Sequence, residues 1–218
     1  METVKFLKMM AVAGALALGV SRGVTTAVLW SQAPSTISPS AIQSVVPIER
    51  PLAVIDFDRI GEMTWEEAIE AIQTPLEAQV YLDDHFSYPS SSIDNGRVDS
   101  FKTNHSDGKG VCYDYAMAAA ALLSDNGYPP LVLLVKNHGV FLYREGDSYV
   151  ALGNTPVMEG ADSIEGLVGK ISDITGVDYK TYAVFNLDDY YGDWWVGGDG
   201  SKSRSVSVPP WNLVPLAK

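Results

Sequence analysis

The chain contains a single cysteine, Cys112, in a setting that favours chemistry. A glycine-containing loop, residues 107–110, leads into the alanine-rich run Ala116–Leu123, which is typical of a buried helix. Cys112 is therefore expected in the first turn of that helix, where backbone N–H groups and the positive end of the helix dipole stabilise an anion. Such a position lowers the pKa of a thiol, and the thiolate is the reactive form. The competing interpretation is a small core residue, because buried cysteine is common.

A nucleophilic cysteine requires a base, and the chain has three histidines. His138 opens an apolar run typical of a strand, from which it could take the thiol proton and later give it to a leaving amine. His85 is predicted late in a helix, close to the C-terminal end of its dipole, and His105 lies in the loop before the cysteine. We predict His138 as the base. Cys112 and the histidines match no ligand spacing of a known zinc site, so neither a metal nor a cofactor is predicted.

Two helices are predicted before this segment. Thr64 is the expected N-cap of a helix over Trp65–Ile72, with Glu67 completing a capping box. A second helix is expected to begin near Thr74-Pro75, since proline suits the first helical turn, and to end before Phe86.

Strands are predicted after the central helix, which ends at Asn126-Gly127. The predicted elements are a strand over Leu131–Val135, a hairpin of His138–Arg144 and Ser148–Leu152, a helix over Ser163–Lys170 and a strand over Tyr179–Leu187. The polar, turn-rich residues 89–109 are predicted to be a long loop. Helices followed by consecutive strands indicate an α+β fold, with the cysteine helix packed on an antiparallel sheet.

Several segments share their order and spacing with one known family. They are Gly110-Val111-Cys112-Tyr113-Asp114-Tyr115-Ala116, the helix end Leu122-Leu123, the turn Asn126-Gly127-Tyr128-Pro129-Pro130, the strand His138-Gly139-Val140-Phe141-Leu142, and the lead-in from Thr74-Pro75 to Tyr88. Together they resemble the transglutaminase-like cysteine-enzyme superfamily, and are most similar to its bacterial transglutaminase-like cysteine proteinase branch. The resemblance covers about residues 64–155. It implies a papain/transglutaminase-like fold with Cys112 as nucleophile and His138 as general base and acid.

The chain departs from this family at the third catalytic position. The branch ends the strand after the histidine with Leu-Asp-Asn, whose aspartate orients the imidazole, whereas this chain has Leu152–Asn154 with glycine in place of the acid. Asn154 is the predicted substitute, as an asparagine serves in papain-like enzymes. A three-residue hairpin loop, Glu145–Asp147, pairs His138 with Asn154, whereas a two-residue turn puts Gly153 on the histidine side. In the second case the site is a Cys–His dyad or is impaired.

Asp114 matches the family's acidic position, two residues after the nucleophile. On a helix it points away from Cys112, so its expected role is structural, as a cap or a partner of loop backbone. The expected oxyanion donor is the N–H of Cys112, with a second donor from the preceding loop, for which Asn104 and His105 are candidates.

Composition and charge limit the location and the partners. A chain of 218 residues with 46% hydrophobic residues suggests one domain with extensions, and a net charge of −12 argues against binding nucleic acid or an anionic membrane. Lys5 and Lys8 precede the apolar stretch Met9–Val20, which suits a signal-peptide core and is shorter than the roughly 20 residues of a membrane span. An uncleaved anchor over Met9–Trp30 is the alternative, and an amphipathic cytosolic helix is disfavoured. We expect an extracytoplasmic protein.

The sequence is predicted to consist of four segments. Residues 1–33 are predicted to be a signal peptide or membrane anchor, and residues 34–60 a linker and lead-in arm in which Pro47–Phe57 forms a strand or a packed arm. Residues 61–187 are predicted to be the transglutaminase-like domain. Residues 188–218, rich in aromatic residues and glycine, are predicted to wrap the domain as an extended arm.

The expected function is thiol hydrolysis. Cys112, His138 and Asn154 would cleave a peptide or protein amide through a thioester intermediate, and acceptance of an amine instead of water would make the protein an acyltransferase or cross-linking enzyme. The rival hypothesis is a catalytically impaired transglutaminase-like binding module, which the missing aspartate favours.

Overall fold

The computed structural model of the protein describes residues 37–38, 41–45, 62–89, 97–198, 204–205 and 213–216. These residues belong to a compact unit that spans Ala33–Lys218. The predicted signal peptide or anchor of residues 1–33 and the predicted strand or arm of Pro47–Phe57 lie outside the described residues. Within the described ranges, none of the helices has both the length and the apolar character needed to cross a membrane.

Seven helices and nine strands form in the part of the chain that the structure describes. The helices are Trp65–Ala71 (α1), Pro75–His85 (α2), Phe101–Asp107 (α3), Cys112–Ser124 (α4), Ile164–Thr175 (α5), Leu187–Tyr191 (α6) and Trp194–Gly197 (α7). The strands are Ser44–Val45 (β1), Arg97–Val98 (β2), Leu131–Val135 (β3), His138–Glu145 (β4), Ser148–Leu152 (β5), Val157–Ala161 (β6), Thr181–Asn186 (β7), Arg204–Ser205 (β8) and Val214–Pro215 (β9).

The main sheet has the strand order β6-β5-β4-β3-β7-β9, and its neighbours along this path are antiparallel. The short strand β1 pairs with the end of β4 in parallel. This mixed fold of helices and a largely antiparallel sheet agrees with the predicted α+β class.

Both faces of the sheet are buried, and alternate residues of β4 divide between them. Phe141 and Tyr143 belong to an apolar cluster with α4, whereas Val140 and Leu142 belong to a second cluster with α5. The sheet therefore lies between two helical layers, and α4 packs against β4 in particular.

The first two helices begin at the predicted residues because both have complete capping boxes. The Thr64 side chain accepts the N–H of Glu67, whose carboxylate accepts the N–H of Thr64. Thr74 and Glu77 repeat the arrangement at the start of α2, where Pro75 occupies the first turn. These local hydrogen bonds satisfy the orphan N–H groups of a helix start, which is why the sequence predicts both helices correctly.

The predicted long loop over residues 89–109 is wrong in its second half. Residues 101–107 form α3, which ends at Gly108 in the left-handed conformation, with a φ of 60°. Phe101 and His105, one turn apart, are both buried. Asn104 is buried as well, so one apolar and two polar side chains anchor this helix, and so sparse an apolar pattern does not show in the sequence.

The predicted extended arm after residue 188 is wrong for the residues up to 198. They form α6 and α7, and Trp195 is buried in the α4 cluster with its indole N–H donated to Asp188 Oδ1 at 2.9 Å. The glycine and aspartate residues of this segment suggest an extended conformation. The aromatic side chains between them pack against the core, and the backbone forms short helices there.

The start of α4 approaches the sheet closely at Gly139. A Cβ atom at this position would lie 2.5 Å from Cδ1 and 2.9 Å from Cε1 of Tyr113, closer than real Cβ contacts allow. Tyr113 follows Cys112 and Gly139 follows His138, so this contact seats the start of α4 on the start of β4.

A Gly139→Ala substitution tests this packing. We expect it to lower the free energy of unfolding by roughly 1–3 kcal/mol, because the tyrosine ring has to move to make room for the methyl group. The matched control is Gly169→Ala in α5, where a Cβ meets nothing within 4 Å and alanine favours the helix. Urea denaturation measures both. Equal stability of the two variants would contradict the close approach.

Candidate active site

Cys112 is the first residue of α4, as the sequence predicts, and a buried carboxylate holds the loop before it. Asp114 accepts the backbone N–H of Val111 at 2.9 Å and that of Asp99 at 3.0 Å. Burial raises the pKa of Asp114 to about 7, and the two N–H donors oppose that rise by favouring the ionised form. The predicted structural role of Asp114 is confirmed, since it caps α4 and fixes the approach to the cysteine.

The thiol of Cys112 lies against the chain just before His138. Its Sγ is 3.9 Å from the carbonyl oxygen of Asn137, and the residue is only 2% exposed. Asn137 belongs to the turn between β3 and β4, with a φ of 58°. The fold thus brings the predicted nucleophile next to the start of the strand that carries the predicted base.

His138 is buried, and one of its ring nitrogens has no partner. The residue is 7% exposed, and Nε2 is buried without a hydrogen bond. The ring stacks on Tyr179, with centroids 6.5 Å apart and planes 13° apart. Desolvation lowers the pKa of His138 from 6.5 to about 4. The imidazole is therefore neutral at pH 7, which is the form that can accept a proton.

The thiol and the imidazole share no hydrogen bond in the described part of the chain. Strand alternation places His138 on the same side of β4 as Val140, in the layer of α5, and Tyr179 belongs to that layer too. Cys112 is at the tip of α4, which covers the other face. The backbone positions of the pair are adjacent, but the resting structure holds no preformed thiol–imidazole bond.

The hairpin between β4 and β5 decides between the two predicted registers. Glu145 pairs with Ser148, so the loop is the two-residue turn of Gly146 and Asp147. The register that paired His138 with Asn154 is therefore wrong, and Asn154 is exposed. Gly153 is buried, and a Cβ there would lie 3.9 Å from Val140 and equally far from Cβ of Tyr115 on α4. Asn154 does not fill the third position in this arrangement.

A buried glutamine that the sequence does not single out holds Gly153 in place. Gln79, on α2, accepts the N–H of Gly153 at 3.1 Å and donates to its carbonyl oxygen at 3.0 Å. Gly153 has a φ of 143°, a conformation that side chains rarely adopt. The contact spans 74 residues of sequence and has no local signature, so only the structure reveals it.

The other two histidines join the N-terminal helices to one another. His105 bonds through Nδ1 to the Tyr81 hydroxyl at 2.5 Å and through Nε2 to the Met63 carbonyl oxygen at 2.7 Å, and burial lowers its pKa. His85 bonds to the carbonyl oxygen of His105 at 2.8 Å. Because both ring nitrogens of His105 are engaged, it is not available as an oxyanion donor.

Asn104, the other candidate oxyanion donor, is also engaged. It is buried, and its amide nitrogen donates to the carbonyl oxygen of Asp99 at 3.1 Å. Among the described residues, no group of three histidine, cysteine or acidic side chains could hold a metal ion.

The fold and this site define a mixed helix-and-sheet protein with a helix-tip cysteine beside a strand-opening histidine. No protein-family model matches the chain, and no curated protein sequence matches it either.

The burial of neutral His138 makes a prediction about stability. With a pKa near 4 in the folded protein and 6.5 when unfolded, the unfolded chain binds more protons between these values. Stability therefore falls as the pH drops from about 6.5 to about 4. In the wild type, His138 should account for a fall of about 2–3 kcal/mol in the free energy of unfolding over this pH range, and a His138→Phe variant should not show this fall.

Urea denaturation of both proteins at pH 4, 5, 6 and 7 measures the difference. Asp114 contributes a slope of the opposite sign, because its pKa is raised, but it does so in both proteins and cancels in the comparison. If the free energy of unfolding varies with pH in the same way in the wild type and in the variant, the result contradicts a buried neutral imidazole.

Proposed function

We propose that this protein is a transglutaminase-like thiol hydrolase that cleaves amide bonds of peptide or protein substrates. The observation that carries the proposal is the approach of Cys112 Sγ to the carbonyl oxygen of Asn137, directly before His138. The helix start supports a thiolate, and the unpartnered Nε2 of His138 is the kind of buried polar atom that calls for a functional explanation.

The proposed reaction proceeds through a thioester. His138 takes the proton of the Cys112 thiol as Sγ attacks the amide carbonyl carbon, and the C–N bond breaks as the imidazolium protonates the leaving amine. A water molecule then gives its proton to His138 and attacks the thioester, the C–S bond breaks, and the thiol regains the proton. Catalytic hydrogen bonds often form only when substrate binds, and this reaction requires the His138 ring to come within reach of Cys112 at that point. Attack by an amine in place of water gives acyl transfer.

A second function is favoured by one observation. Gly153 occupies the position of the family's aspartate in a backbone conformation that an aspartate rarely adopts, and Gln79 holds it there. A site that has lost its acid in this way suits a binding module that retains the fold without the reaction.

An extracytoplasmic location accompanies either function in our proposal. It rests on Lys5 and Lys8 followed by the apolar stretch Met9–Val20.

Alkylation of Cys112 by a neutral reagent such as chloroacetamide distinguishes the two functions. For the hydrolase, we expect labelling to persist well below pH 8.5, the pKa of an ordinary thiol, and to decline near pH 4, where His138 gains a proton. His138→Ala should move the midpoint to about 8.5 or above. Midpoints are compared rather than rates, because burial slows the reagent equally in all variants.

The control is His85→Gln, which removes a histidine outside the site and should keep the wild-type profile. A wild-type midpoint at or above 8.5 that His138→Ala leaves unchanged contradicts the hydrolase and supports the binding module.

A further inference from the structure

The orientation of His138 requires an explanation, because the residue that sets it in the resembling family is missing. Gly153 has no side chain to offer, and Asn154 is exposed. Nε2 has no hydrogen-bond partner at all. A hydrogen bond from a third catalytic side chain therefore does not fix the ring in the described structure.

We propose that Tyr179 is the positioning residue of this site, and that it holds the His138 imidazole by stacking in place of the missing carboxylate. This inference rests on the proposed hydrolase function. The two rings are nearly parallel, and a centroid distance of 6.5 Å is within the range of aromatic pairs.

Tyr179 is itself held firmly enough to act in this way. It is 5% exposed, within the apolar cluster of α5, and its backbone N–H lies 3.5 Å from the hydroxyl of Ser172. Ser172 in turn donates to the carbonyl oxygen of Val168 within α5. The ring thus connects the end of α5 with the start of β4.

The charged groups around this pair do not account for the properties of the ring. Lys136, Asp178 and Lys180 adjoin the two residues in the chain, and all three are exposed. Asp178 and Lys180 form an ion pair with each other. Cys112, at the tip of α4, lies on the other face of the sheet. Removal of water by packing is therefore the main influence on the protonation of His138, which agrees with desolvation as the cause of its lowered pKa.

The test measures the pKa of His138 by NMR titration of its ring signals, which His138→Gln identifies by their loss. Tyr179→Phe keeps the stacked ring and should leave the His138 pKa unchanged. Tyr179→Leu keeps apolar bulk without a planar ring, and Tyr179→Ala opens the site to water. We expect both to raise the His138 pKa by at least about one unit and to slow alkylation of Cys112 at pH 7 by about tenfold.

The control is Tyr182→Leu, which removes another buried tyrosine of the same cluster, one that bonds to Glu165 instead. It should destabilise the protein without moving the His138 pKa. An unchanged His138 pKa in Tyr179→Leu overturns the inference, and so does an equal rise in Tyr182→Leu. If Tyr179→Leu raises the pKa while His138→Ala leaves Cys112 alkylation unaffected, the ring contact stands and the proposed hydrolase fails.

Discussion

The contact between the Tyr113 ring and Gly139 sets the geometry on which the site depends. A side chain at position 139 would collide with the ring, so the glycine is required for the helix tip to reach the strand. Because Tyr113 and Gly139 each follow one member of the proposed pair, the same contact fixes the separation of Cys112 and His138 along the backbone. The small side chains of Ala116, Ala119 and Ala120 are all fully buried, which suits close packing of the rest of α4.

The elements with local signals could be predicted from the sequence, and those that depend on distant contacts could not. Thr64 and Thr74 mark the starts of α1 and α2, because each forms capping hydrogen bonds with a residue three positions later. The unbroken apolar run Leu131–Val135 indicates a strand that is buried on both faces, which is what the structure shows. The sequence predicts a loop where the helix α3 forms, and it makes no prediction for the strand β6; each offers few apolar core residues. Both are held by the elements that they pack against, which a short local pattern does not reveal.

The candidate site shows the same division. Cys112 at a helix start and Asp114 as its cap follow from residue order, because both depend on the nearest turn of backbone. The register of the β4–β5 hairpin does not follow from residue order, since the same residues fit a two-residue or a three-residue loop. The choice between the two loops decides which face of the sheet each later side chain of β5 occupies. Gln79 and Tyr179 reach the site from other elements, so no spacing in the sequence identifies them.

The environment of His138 differs in kind from that of a histidine paired with a carboxylate. A carboxylate raises the pKa of its imidazole partner, whereas apolar packing lowers the His138 pKa and leaves the ring neutral. A neutral, weakly basic ring removes the thiol proton less readily but keeps its proton-accepting form down to acidic pH. In the proposed reaction, the helix dipole would then have to supply a larger share of the stabilisation of a Cys112 thiolate.

The central claim, acyl transfer through Cys112 and His138, is tested most directly by intact-mass measurement after mixing the protein with an activated acyl ester such as p-nitrophenyl acetate. The claim predicts an acetyl adduct that peptide mapping places on Cys112 and that disappears as hydrolysis proceeds in the wild type. In His138→Ala the adduct should form more slowly and then persist, because no base activates the thiol or the water. The absence of an adduct on Cys112, or its loss at the same rate in both proteins, would contradict the claim.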